Sequence, residues 1–266
     1  MEKKVKKYKR MRRPTRKEQK IKVLGICIVT LIAVAVIGGG ILIVNENSDM
    51  IKNFFSTESE QSIETLASTG FTNEEKKKLL TLVNLHNPIP ENYKHDLTDY
   101  KNVKVEKMIV PYLNEMINAA KKDNVDLKLK NGYISTEEQE TIYLNKVEEI
   151  KNNNGYSMVR SKAEAEKIVP PGGKSDFQTG LSVEFDFGSG LSADEIINTS
   201  EYKWLNKNCV NYGFIVRYPK SKEDETSMAF SATIYRFVGT ENAKKMRALD
   251  LCFEEYCEYI DLQKSE

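Results

Sequence analysis

Residues 170–184 read PPGGKSDFQTGLSVE and bring Ser175, Asp176, Ser182 and Glu184 together on a Gly-flanked turn leading into an alternating strand. Hydrolysis on a bound zinc would need neutral imidazoles to hold the ion and leave one coordination position for water. The chain contradicts the chemistry. It has two histidines, His86 and His95, and both precede the turn. Ser175, Ser182 and Ser231 are hydroxyl nucleophiles in principle, but no histidine follows His95 to activate them. Lys174 beside Ser175 offers a Ser-Lys pair, and Asp176 with Glu184 a carboxylate pair. Solvated loop and strand charges explain these residues more simply. His86 and His95 flank a Pro-rich loop and read as surface histidines.

The elements that would position these residues follow from periodicity and caps. Thr72 with Glu75 forms a capping box before an amphipathic helix through Leu79, Leu82 and Val83. Asn87-Pro88-Ile89-Pro90 breaks it into an extended loop. A helix from about Pro111 to Lys122 follows, then a half-buried strand at Val125, Leu127 and Leu129. Ser135 with Glu138 caps a third helix to about Asn152, ended near Gly155, and Ser161 with Glu164 caps a short fourth. Leu181, Val183, Phe185 and Phe187 alternate with Ser182, Glu184 and Asp186 as a strand. Trp204 and Leu205 fall on a helix, and residues 213–218 and 228–237 read as paired strands. Thr240 caps a last helix to about Leu262. Mixed helices with mostly sequential strands define an α+β domain with a small central antiparallel sheet.

Charge divides the chain. Residues 1–22 carry twelve Lys/Arg and two Glu, or +10, whereas the other 244 residues carry 28 basic and 37 acidic side chains, or −9. Val23 to Val44 has no charged residue. As a helix it would be about 33 Å long, enough for a hydrocarbon core of about 30 Å. It exceeds the apolar region of a cleaved signal, so it reads as one uncleaved transmembrane helix, a signal anchor. The basic cluster then stays cytoplasmic and meets anionic lipid, not nucleic acid. The expected organisation is a tail (1–22), a span (23–44), a polar stalk (45–70) and an extracytoplasmic domain (71–266). Cys209, Cys252 and Cys257 lie in that domain. The spacing of Cys252 and Cys257 puts them on different sides of a helix, leaving free thiols or one bond to Cys209 as the alternatives.

Several segments together resemble VanY-type D-alanyl-D-alanine carboxypeptidases. These are Leu82-Val83-Asn84 with residues 87–93, Asn131-Gly132-Tyr133 with Gln139, Pro171-Gly172 with Ser175, and Gln178-Thr179-Gly180-Leu181. Trp204-Leu205, residues 212–219 and Tyr235-Arg236-Phe237-Val238-Gly239 continue the match in the same order, over about residues 71–262. The resemblance implies a zinc peptidase fold, with zinc as cofactor, that trims the terminal D-alanine of peptidoglycan stem peptides.

Carried over residue by residue, the resemblance puts Phe177 where a histidine ligand is expected and Glu184 where an aspartate ligand is expected. Ile234 stands at the second histidine ligand, Ser231 at the general base and Ile134 at the arginine that grips the substrate carboxylate. Zinc sites are worth roughly 10–16 kcal/mol through their donor atoms, and Phe177 and Ile234 supply none. The expectation is therefore a zinc-free pseudoenzyme, anchored by a single pass, that binds a stem peptide or a cell-envelope protein. The alternative is a divergent active carboxypeptidase. Tyr133, Ser135, Gln139, Ser175, Asp176 and Gln178 are the candidate groove residues. Phe177 and Ile234 are expected to fill the vacated space and keep the sheet packed without an ion.

Overall fold

The computed structural model describes residues 70–188 and 190–265. The expected tail and span, and all but the last residue of the stalk, lie outside the described residues. Within the described part the order begins with helix α1 (Asn73–Leu79), hairpin β1 (Leu97–Tyr100) and β2 (Val103–Glu106), helix α2 (Val110–Lys122) and strand β3 (Lys128–Asn131). Helices α3 (Thr136–Asn154) and α4 (Met158–Glu166), strand β4 (Ser182–Asp186), helix α5 (Ser200–Asn208) and strand β5 (Phe214–Tyr218) follow. Strand β6 (Ser231–Phe237) and helices α6 (Thr240–Leu249) and α7 (Phe253–Ser265) complete it.

The expected α+β class holds. Four strands form an antiparallel sheet in the order β3-β4-β6-β5. Alternation along the strands sorts its two faces. Val183 and Phe185 of β4, Phe214 of β5 and Tyr235 and Phe237 of β6 are buried with Leu113, Met116 and Ala120 of α2 and Met246 of α6 in the main core. The opposite face carries Ser182, Glu184, Ile234 and Arg236, because Ser182 pairs with Arg236 and Glu184 with Ile234 across β4 and β6. A separate small core of Tyr143, Val147 and Ala165 holds α3 to α4.

Three expectations about elements are corrected. First, α1 stops at Leu79 instead of running through Val83. The buried Arg236 guanidinium donates to the carbonyls of Lys78, Leu79 and Thr81, so these need no further helical turn. Second, α4 is capped by Ser157, whose hydroxyl accepts from the Arg160 amide. Ser161 lies inside the helix and donates back to the Ser157 carbonyl. Third, the last helix is two: Asp250 adopts φ 54° and ends α6, and Glu255 accepts from the Cys252 amide to start α7. Thr240 is the first helical residue and Gly239, at φ 82°, takes the cap position. The β1–β2 hairpin went unread, since its Lys101-Asn102 turn lacks glycine and places Lys101 at φ 54°. Cys209, Cys252 and Cys257 are free thiols, and burial pushes them up to about 11, 12 and 12 respectively.

Candidate functional site

The residues of the 170–184 turn meet β3 and β6 at one cavity. Residues 176–179 form a short 3-10 turn that carries Phe177. Gly180, at φ 70°, then swings the chain into β4; a Cβ there would lie 2.8 Å from Leu97 Cδ2 and 3.1 Å from Glu106 Cγ. Four residues later, within β4, Glu184 faces Ile234 on one side and Asn131 on the other. Phe177, Glu184, Ile234 and Ile134 therefore line one cavity of about 270 Å³, although they are spread over a hundred residues of chain. Sheet pairing brings them together.

The cavity is not plugged, against expectation. Phe177 and Ile234 are only half-buried and form part of its wall. Glu184 is the carboxylate among the four residues, and its oxygens are already taken. Lys130 Nζ donates to Oε1 at 2.9 Å, Asn131 Nδ2 to Oε2 at 2.6 Å, and Thr233 Oγ1 to Oε1 at 3.4 Å. Ser231 stands at the start of β6 with its hydroxyl 3.2 Å from that of Thr233.

Asp176 also borders the cavity, but its carboxylate is turned into a buried ionic network. Oδ1 accepts from Arg236 Nη1 at 2.8 Å and Oδ2 from Ser182 Oγ at 2.5 Å. Arg217 Nε lies 3.3 Å from Oδ2, an ion-pair contact without hydrogen-bond alignment. The Arg217 fork donates to both oxygens of Glu254, at 3.0 and 2.7 Å. Both arginine side chains are 0% exposed. Burial pushes the Tyr218 phenol beside them strongly upward, opposed by the Arg217 charge. Sequence reasoning missed this network; its signal was an arginine, Arg217 and Arg236, within each of two otherwise largely apolar strands.

Of the six candidate groove residues, Gln139, Ser175 and Asp176 line the cavity. Gln139 Nε2 donates to the Pro170 carbonyl at 2.7 Å, and the Ser175 amide to Gln178 Oε1 at 3.1 Å. Gln178 is buried one layer below, donating to Thr136 Oγ1 at 2.7 Å. Ser135 caps α3, where its hydroxyl accepts from the Glu138 amide. Tyr133 lies outside the lining, its ring 5.0 Å from that of His95. His95 packs beside Glu106, and His86 is exposed on the Pro-rich loop; neither lines the cavity.

The comparisons with known proteins fit this arrangement. The family described as "VanY: D-alanyl-D-alanine carboxypeptidase" matches residues 102–240. A D-alanyl-D-alanine carboxypeptidase of Enterococcus faecalis is 38% identical over 72% of this chain and 70% of its own length. A putative carboxypeptidase, YodJ of Bacillus subtilis, is 30% identical over 81% of each chain. Among solved structures, VanYB in complex with D-alanine-D-alanine superposes with a TM-score of 0.61 at 38% identity, covering 67% of this chain and 97% of that one. The LD-carboxypeptidase LdcB, whose structure concerns peptidoglycan recognition, gives 0.59 at 31% identity, over 69% and 87%. The fold is that of a carboxypeptidase-type domain. The chain belongs to the VanY D-alanyl-D-alanine carboxypeptidase family.

The family implies zinc, and the donor set tests whether these residues suit it. A catalytic zinc takes three protein ligands and a water. Phe177 and Ile234 offer no lone pair, and Glu184 is the remaining donor, held by three hydrogen bonds. No cluster of three or more His, Cys, Asp or Glu suited to a metal occurs among the described residues. The residues at this position do not fit the ion.

Proposed function

We propose that this chain is a family member whose carboxypeptidase-like cavity binds a cell-wall peptide, or a protein partner presenting a peptide, without zinc-dependent hydrolysis. The observation that carries the reading is the cross-strand pair Glu184 and Ile234 with Phe177 in one cavity, a set holding one carboxylate and two side chains without donor atoms. Without an ion there is no water activated to a pKa near 7, and the Ser231 hydroxyl is no general base. The peptide class is supported by the relatives, one of which holds D-alanine-D-alanine. The uncharged run of residues 23–44 supports a single-pass anchor with the domain outside the cytoplasm.

A second reading, a divergent active D-alanyl-D-alanine carboxypeptidase acting on stem peptides, is favoured by the 38% identity to a protein of that activity. One experiment separates the two. The full chain in detergent is analysed for metal and incubated with a stem pentapeptide ending in D-Ala-D-Ala. Binding without D-alanine release, at less than one-tenth equivalent of zinc, supports the first reading. Stoichiometric zinc with released D-alanine overturns it in favour of the second.

A further inference from the structure

Charge accounting around the cavity bears on which end of a peptide it accepts. Lys130 is the cation among its lining residues, and it is tied to Glu184 at 2.9 Å. Arg217 and Arg236 lie below, fully buried and closed off by Asp176 and Glu254. The rest of the wall is chiefly apolar: Ile134, Ile142, Ile168, Phe177, Met228 and Ile234. A ligand carboxylate entering here would shed its water without gaining an uncommitted positive partner, and it would approach the Glu184 carboxylate. An unpaired charge in such surroundings is strongly disfavoured. An uncharged end loses less on desolvation than a carboxylate does, and the apolar groups beside it gain from covering the aliphatic wall.

We propose that the cavity selects a peptide whose captured end is uncharged, such as a terminal carboxamide, over the same peptide ending in a free carboxylate. This rests on the reading of the cavity as a peptide groove.

The test uses two fluorescently labelled stem pentapeptides that differ only at the terminus, D-Ala-D-Ala acid and D-Ala-D-Ala carboxamide. Each is titrated with the full chain and followed by anisotropy. The carboxamide is expected to bind about tenfold or more tightly. Ile142→Glu changes a rim side chain that is 42% exposed, which the fold tolerates, and it should weaken carboxamide binding about fivefold or more. Ile134→Arg supplies an uncommitted cation and should reverse the preference. Equal binding, or tighter binding of the acid, by the unaltered chain overturns the selectivity while leaving the groove reading intact. Undiminished carboxamide binding by Ile142→Glu overturns the location. If neither peptide binds at millimolar concentration, both the selectivity and the groove reading fall.

Discussion

Replacing Asp176 by Asn should destabilise the domain severely, for a reason visible in the charge balance beneath the cavity. Two guanidinium groups at 0% exposure face two carboxylates, those of Asp176 and Glu254. Asp176→Asn leaves this cluster with one uncompensated positive charge. The amide keeps one carbonyl oxygen, so one of the two acceptors that now serve the 2.5 Å bond from Ser182 and the 2.8 Å bond from Arg236 is replaced by a donor. Breaking a buried ion pair by removing one partner costs about 3–5 kcal/mol. For a domain of this size each kcal/mol shifts Tm by roughly 2–4 °C, so a fall of about 6–20 °C is expected. The same group ties α1 to the sheet, since Arg236 also holds the Lys78, Leu79 and Thr81 carbonyls. Thermal unfolding of the full chain, followed by circular dichroism, measures the loss. A double variant adding Arg236→Gln restores charge balance and should be less than additive by more than about 1 kcal/mol. A loss below about 1 kcal/mol for Asp176→Asn, with peptide binding abolished, would refute the argument and make Asp176 a ligand-contacting residue.

Restoring donors should restore affinity for the ion. The triple variant Phe177→His, Glu184→Asp, Ile234→His is expected to bind zinc at least about a hundredfold tighter than the unaltered chain by competition with a chelating dye. Gly132→Ala would drive a Cβ into the Lys104 carbonyl oxygen, so it should cost about 1–3 kcal/mol in urea unfolding, and a neutral result would contradict the close approach of Gly132 to β2. His95 lies between Tyr93 and Tyr133, and burial holds its pKa below 6.5 despite the opposing pull of Glu106. The unfolded chain therefore binds the proton more readily. Stability should fall as pH drops through about 6.5 toward the folded-state pKa, and His95→Gln should remove that part of the slope in denaturant midpoints measured from pH 7.5 to 5.

The fold was largely legible because its signals are local. The Ser135–Glu138 capping box, the left-handed Gly155 that ends α3 and the period-two alternation of β4 are each written within a few residues. They need no knowledge of the rest of the chain. The early end of α1 and the true start of α4 were not legible. In the first case the deciding partner, Arg236, is more than 150 residues away, and in the second two serines offered competing caps.

The sequence alone determined which side chains have lone pairs. The side chains of Phe177 and Ile234 can give zinc no ligating lone pair in any fold, and no histidine follows position 95. Only the tertiary structure decided that Phe177, Glu184, Ile234 and Ile134 share one open cavity, and that Glu184 is spoken for by Lys130, Asn131 and Thr233. Donor chemistry is a property of each residue, whereas adjacency across β3, β4 and β6 comes from pairing between strands far apart in the chain.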